Sequence, residues 1–383
     1  MNSAAESIDM MATARSAARL LAHYPPLPEH AVATEPPEAR GVERDGVRLM
    51  ISHWRDDSIA HAHFHDLPGY LDEGDLLLVN TSRTIPAALS ARRSDGAMLV
   101  MHLSTRLPSG DWVVELRLPA AVATLPYHDG AAGQSLALPD GGSATIVSTY
   151  PPESSAGRLS PPDVAVEEGS KRGSRLWIAE IAIDGAIDDY LARNGRPIRY
   201  GYVAEEWPLP YYQTVFASES GSAEMPSAGR GFTEALVARL VTAGVQIAPI
   251  LLHTGVASQE SHEPPYPEYY RVSATTARRV NETRSAGGRV IAVGTTAVRA
   301  VESAVDRSGT THASSGWTDI VISPEHGVHA VDGIITGLHE PQATHLLMLA
   351  AIAPVAHLHH AYREAIERGY LWHEFGDLHL ILP

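Results

Sequence analysis

The chain has 383 residues, no cysteine, 44% hydrophobic residues and a formal net charge of −16. Its length and apolar content support two ordinary cores without any run approaching a membrane span, and the lack of cysteine excludes disulfides, thiolate catalysis and Cys-ligated zinc or iron–sulfur sites. The acidic balance opposes general nucleic-acid affinity, which depends on positive charge and counterion release, but leaves room for a local arginine-lined groove.

Residues 1–45 are rich in Ala, Pro and Glu, and YPPLPEH and EPPEARG read as an N-terminal tethering arm. Glu6 and Asp9 and the missing apolar block argue against a secretory signal, so a cytoplasmic location is expected. In HAHFHD, strand alternation puts His61, His63 and His65 on one face, an allowed geometry for zinc or nickel. No fourth ligand is spaced nearby, so a polar strand face is the preferred reading and no metal is expected. The same holds for His357, His359 and His360.

After Asn80, short strand-like runs at 97–103, 111–118, 134–138, 143–148 and 175–183 are separated by turn signals, which suggests a small antiparallel β-barrel over 84–187. The Pro/Gly/Ser-rich stretch 150–174 reads as an exposed loop within it. From Asp188 strands and helices alternate, as in FTEALVARLVTAG followed by VQIAPILLH, so 46–83 and 188–383 are expected to form one α/β domain interrupted by the barrel. Within it, the apolar run Val290–Val293 is broken by Gly294-Thr295-Thr296 just before a helical segment carrying Val298, Val301 and the Arg299/Glu302 pair. That turn sets two hydroxyls and unpaired backbone N–H groups at a helix start, where a polar ligand can approach; an ordinary N-cap after a core strand is the alternative.

Six stretches occur in order: GDLLLVNTSRTIPAAL from Gly74, YYQTVFASESGSAEMPSAGRGFTEAL from Tyr211, EYYRVS from Glu268, GGRVIAVGTTAVRAVESA from Gly287, GWTDIVISP from Gly316 and AYREAIERGYLWHEFGDLHLIL from Ala361. Together they resemble the S-adenosylmethionine:tRNA ribosyltransferase-isomerases of queuosine biosynthesis, over roughly residues 60–382. The resemblance implies an α/β domain built from both ends of the chain and interrupted by a β-barrel. It also implies a reaction in which S-adenosylmethionine is consumed as a ribosyl donor to a 7-aminomethyl-7-deazaguanine in tRNA, releasing adenine and methionine. Such chemistry needs a base beside the sulfonium, a donor to help adenine leave, and groups that stabilise developing oxyanions. The sulfonium acidifies its own neighbouring carbon, so no cofactor is expected.

Several motifs depart from the family. Its N-D-T-R-V-I-P-A-R appears as Asn80-Thr81-Ser82-Arg83-Thr84-Ile85-Pro86-Ala87-Ala88, without the acid and second arginine. Its P-T-A-G-L-H-F has become Pro226-Ser227-Ala228-Gly229-Arg230-Gly231-Phe232, with glycine for histidine, and its N-F-H-L-P-K-S has become Gly337-Leu338-His339-Glu340-Pro341-Gln342-Ala343. The region after His253 is shorter than the family's glycine-rich segment. These changes leave open a relative that keeps the donor but uses a small-molecule acceptor, and more remotely a non-catalytic binding protein. Arg230, at a usually apolar position, is available to meet an RNA phosphate.

The matched motifs supply the site residues. His253 directly follows PILL at a strand end, where α/β proteins place ligands, and is the first choice for proton transfer, with Asp319, Asp332 and His339 as further acid/base residues; a structural histidine at 253 and a buried structural pair of Asp332 and His339 are the alternatives. Arg83 is suited to a carboxylate or phosphate, or to an interdomain salt bridge. Tyr212, Gln213 and Thr214 form a hydrogen-bonding cluster for adenine or ribose, unless Tyr212 is a core residue. Thr295, Thr296 and Arg299 are suited to the methionine carboxylate, with Glu302 holding Arg299. Trp317 can stack on a base or sulfonium beside Thr318, and Asp319 can bind ribose hydroxyls, unless Trp317 is a core anchor with Asp319 capping the turn. The expected partners are S-adenosylmethionine and the tRNA anticodon loop, with no membrane, and a monomer is expected.

Overall fold

A computed structural model describes residues 27–120, 123–150, 175–256, 266–338 and 345–383. Its centre is a 9-stranded sheet in the order Ser314–Thr318, Glu268–Val272, Gln246–Leu252, Leu76–Asn80, Val290–Val293, Gly333–Gly337, Leu378–Leu382, Arg48–His53, Ser58–His63. The strands Gln246–Leu252, Leu76–Asn80, Val290–Val293 and Gly333–Gly337 are mutually parallel, so their carboxyl ends share one edge. Helices and loops cover both faces, which is why LLLVN, VIAV and GIITG read as unbroken buried runs. Period-two alternation then splits each strand between two cores. Leu76, Leu78 and Ala292 pack with Val298, Tyr362 and Trp372 on one face, and Leu77, Val79 and Ile291 pack with Phe64, Phe232 and Leu236 on the other.

The insertion is a closed 6-strand antiparallel barrel. Its strands run Ala88–Arg93, Met98–Arg106, Trp112–Leu118, Leu176–Ala182, Ser143–Tyr150 and Ser135–Ala137, the last pairing back to the first. Closure leaves no unpaired edge to aggregate. The chain returns to the large sheet later than residue 188: helix Ile187–Asn194 buries Tyr190 and Leu191 in the barrel core, and Gly195 and Arg196 pair with Leu89 and Ala88.

Residues 27–45 are stitched onto the α/β domain rather than strung out as a tether. Ala31 and Ala33 are buried, Val32 bridges to Trp372, and Arg40 Nη2 donates to the Phe375 carbonyl at 3.0 Å. The HAHFHD strand stops at His63, because Phe64 opens the 3-10 helix Phe64–Tyr70, and His65 therefore leaves the alternation. His61 instead meets the Tyr370 hydroxyl at 2.8 Å. His63, His65 and Asp66 bring ligand atoms within 4.8 Å of one another. His357 and His360 both engage Asp57, at 2.6 and 3.1 Å. Among the described residues, no helix is long and apolar enough to cross a membrane.

Candidate active site

The shared strand edge is laced together by Asn80. Its amide nitrogen donates to the Leu252 carbonyl at 2.8 Å and to Thr296 Oγ1 at 3.2 Å, while its oxygen accepts from Leu252 and Ser82 backbone N–H groups, each at 3.1 Å. Three strand ends are fixed by one side chain. Beyond them, His253 Nδ1 lies 2.7 Å from Ser82 Oγ, which lies 2.5 Å from Ser222 Oγ. Ser222 Oγ also accepts the Thr254 N–H at 3.0 Å. On the other side of the ring, His253 Nε2 is 3.9 Å from a Glu219 oxygen, and Glu219 is held by Arg271 at 2.6 Å.

This arrangement depends on glycine at 221. A Cβ there would stand 2.6 Å from the imidazole, so only glycine lets the Glu219–Ser222 strand lie against the ring. Tyr269 stacks on His253 at 6.0 Å, and Trp317, 36% exposed, meets Tyr269 edge-on at 6.0 Å. Burial, and to a smaller degree Arg271, hold the His253 pKa below its ordinary value against the pull of Glu219. A neutral imidazole with one nitrogen tied to a hydroxyl relay is equipped to accept a proton.

The Gly294 turn forms as expected at the start of helix Thr295–Glu302, with φ 88 at Gly294 and its N–H donating to the Ile335 carbonyl at 2.8 Å. Thr295 and Thr296 are half-buried there, and Thr296 receives the Asn80 amide. Arg299 departs from its expected role. Its guanidinium pairs with Glu268 and donates to the Thr318 and Ile320 carbonyls at 3.2 and 3.3 Å, so it knits the helix to the sheet and is already committed. Glu302 does not hold Arg299 either; its buried carboxylate accepts the His329 and Ala330 backbone N–H groups at 2.9 and 2.8 Å.

Other expected residues divide similarly. Tyr212 is buried against Phe375 at 5.3 Å, and burial pushes its phenol up. Gln213 spends both ends of its amide on the Thr84 backbone, accepting at 3.1 Å and donating at 2.7 Å, so it does not present a base-reading edge. Thr214 is buried with its hydroxyl unpaired among the described residues. Thr318 Oγ1 meets Ser303 Oγ at 2.6 Å. Arg83 is exposed beside Ser82, with no interdomain ion pair among the described residues. Asp319 is also exposed, and near the barrel; burial first, and then its charge, raises the Tyr150 pKa. Asp332 lies at the opposite end of the sheet, accepting the Val290 N–H at 2.8 Å at the start of that strand. Four residues at about 3.3 Å each separate it from the Gly294 edge. His339 falls outside the described residues.

The sequence profile of a family described as "Queuosine biosynthesis protein" matches residues 23–381. The chain belongs to this family. A S-adenosylmethionine:tRNA ribosyltransferase-isomerase of Symbiobacterium thermophilum is 35% identical over 366 residues, covering 93% of this chain and 97% of that protein. One of Moorella thermoacetica is 35% identical over 365 residues with the same coverage. The crystal structure of S-adenosylmethionine tRNA ribosyltransferase from Thermotoga maritima aligns with a TM-score of 0.50 and 30% identity, covering 94% of this chain and 99% of that one.

Two departures from the family pattern acquire physical reasons. At Gly231, where the family carries histidine, an added Cβ would stand 2.8 Å from Phe64 and 3.1 Å from Leu378, so that space is already filled. Arg230 does not face RNA. It is 3% exposed, pairs with Glu38 at 2.7 Å and donates to the Tyr211 carbonyl at 2.9 Å. Ser82, Ser222, Glu219 and Tyr269 were not singled out as site residues in the sequence, although all lie within the matched stretches; short polar residues flanking glycine were the available signal.

Proposed function

We propose that the chain transfers the ribosyl moiety of S-adenosylmethionine to a 7-aminomethyl-7-deazaguanine in tRNA and isomerises it, giving epoxyqueuosine with release of adenine and methionine. The observation that carries this reading at the residue level is the neutral His253 at the shared strand edge, tied to Ser82 and Ser222, in a chain that matches its family along nearly its whole length. His253 accepts the proton next to the sulfonium at Nε2 and holds it as an imidazolium beside Glu219, while Ser82, held by Ser222, fixes the ring through Nδ1. Thr295 and the first amides of its helix receive the methionine carboxylate, a task from which Arg299 is withdrawn. Tyr269 and Trp317 offer aromatic faces to a base or to the sulfonium, and exposed Arg83 meets a phosphate of the anticodon loop.

The reaction runs without metal or resident cofactor, in a cytoplasmic monomer. Identity at the level of one residue in three along the whole chain gives no separate support to a small-molecule acceptor. Incubation with S-adenosylmethionine, with and without deazaguanine-containing tRNA, tests the reading by mass spectrometry of adenine and methionine. Release that requires the tRNA is the expected result. Equal turnover with a free aminomethyl-deazaguanine and no effect of tRNA overturns it.

A further inference from the structure

We propose that Glu374 is a ligand-contacting residue of this site, its carboxyl pairing with the adenine edge of S-adenosylmethionine; the assignment rests on the function proposed above. Glu374 lines a small, partly open cavity of about 10 Å³ together with Ser227, Arg230, Gly337 and His373. This cavity adjoins the strand edge. Gly337 ends the strand next to Val290–Val293, and Ala228, beside Ser227, stands 3.3 Å from where a Cβ on Gly294 would lie. At Gly337, where the family carries asparagine, an added Cβ would meet nothing closer than the His373 carbonyl at 3.9 Å. Among the described residues no side chain fills that point, and Glu374 lines the same cavity.

Glu374 Oε1 is buried and has no hydrogen-bond partner among the described residues. Such an oxygen is costly unless a ligand supplies its partner. Arg230, the cation that acts on it, is already engaged by Glu38 and the Tyr211 carbonyl. Burial pushes the Glu374 pKa up to about 8, with Arg230 opposing, so the group is protonated at neutral pH. The other ionisable groups around it are Arg44 and His373 in the cavity wall, Glu38 beyond Arg230, and Tyr212.

A protonated carboxyl presents an O–H donor and a carbonyl acceptor side by side. Adenine presents the complement, an amino donor beside a ring-nitrogen acceptor, whereas the Watson–Crick edge of a guanine offers two donors and suits an ionised carboxylate. The cavity holds about one water-sized group. An amino group therefore enters it while the ring lies outside, toward the Gly294 turn.

The test is calorimetric titration of the full chain with S-adenosylmethionine, comparing the unaltered protein with Glu374→Gln and Glu374→Leu, and a second titration with free 7-aminomethyl-7-deazaguanine. Glutamine keeps a donor and an acceptor at the same reach, so Glu374→Gln should lose no more than about threefold in affinity, and Glu374→Leu about tenfold or more. Both variants should retain the melting temperature of the unaltered protein or exceed it, because each removes a buried acid. Unchanged donor affinity in Glu374→Leu, or a loss confined to the deazaguanine titration, overturns the assignment while leaving the proposed function standing. Failure of the unaltered protein to bind S-adenosylmethionine overturns both.

Discussion

Two clusters share the carboxyl edge of the parallel strands and differ in how far their polar groups are satisfied. Around Arg299, three expected site residues have been consumed: the guanidinium by Glu268 and two carbonyls, Glu302 by two backbone amides, and Thr318 by Ser303. Around His253, the ring is anchored on one side and faces a carboxylate at 3.9 Å on the other, with Arg83 and Trp317 exposed nearby. The charged groups of the first cluster are paired within the protein, whereas His253 Nε2 in the second has its carboxylate no closer than 3.9 Å. Residue types alone did not separate them, because both are rich in Arg, Glu, Thr and aromatic side chains. Saturation by protein partners does.

Substituting His253 should widen the contrast most. His253→Gln is expected to lower kcat by about 10²- to 10⁴-fold with little change in melting temperature, as for removal of a general base. The unaltered enzyme should keep its activity on acidification past the ordinary histidine range, because a depressed pKa leaves the base form populated; an acid limb of kcat/KM centred above 6.5 would contradict this. Arg299→Ala should act in the opposite sense, costing about 1 to 3 kcal/mol of stability by leaving half-buried Glu268 and the Thr318 and Ile320 carbonyls without their guanidinium partner, as read by denaturant unfolding. A stable Arg299→Ala protein with selectively weakened donor binding would return Arg299 to the site.

Trp317→Ala should weaken substrate binding by about 1 to 3 kcal/mol, the range for loss of an aromatic stacking surface under a base, without altering unfolding. A pH-dependent effect is expected at Glu374, in the cavity beside Gly337. Its folded pKa of about 8 stands above the ordinary 4.5, so its contribution to stability is complete below 4.5 and is lost as pH rises toward 8. Glu374→Gln should therefore gain on the unaltered protein across that window, by up to about 4 kcal/mol at its upper end. Parallel stability curves for the two proteins would show that the acid is not held protonated.

The α/β sheet, the inserted barrel and the strand–turn–helix at Gly294 were legible because each rests on periodicity or turn chemistry within a few residues. His253 was legible for the same reason, since an apolar run placed it at a strand end. The partners were not. Arg299 meets Glu268 across 31 positions and Gln213 meets Thr84 across 129, and no local pattern announces either contact. The return from the barrel was read too early because helix Ile187–Asn194 has an ordinary amphipathic pattern that fits either core. His65 was misplaced because a 3-10 turn interrupts the strand one residue before it.

The pairing of Arg48–His53 with Leu378–Leu382 constrains how the molecule is made. Arg48 and Asp377, at the start of that pairing, are 329 positions apart. The barrel strands lie within one contiguous stretch and can close as soon as Leu176–Ala182 leaves the ribosome. The large sheet cannot seat Arg48–His53 until Leu378–Leu382 has emerged, so for most of translation that hydrophobic strand waits with an unpaired flank. A nascent chain stalled before residue 378 should carry a folded barrel beside an α/β domain that chaperones still recognise.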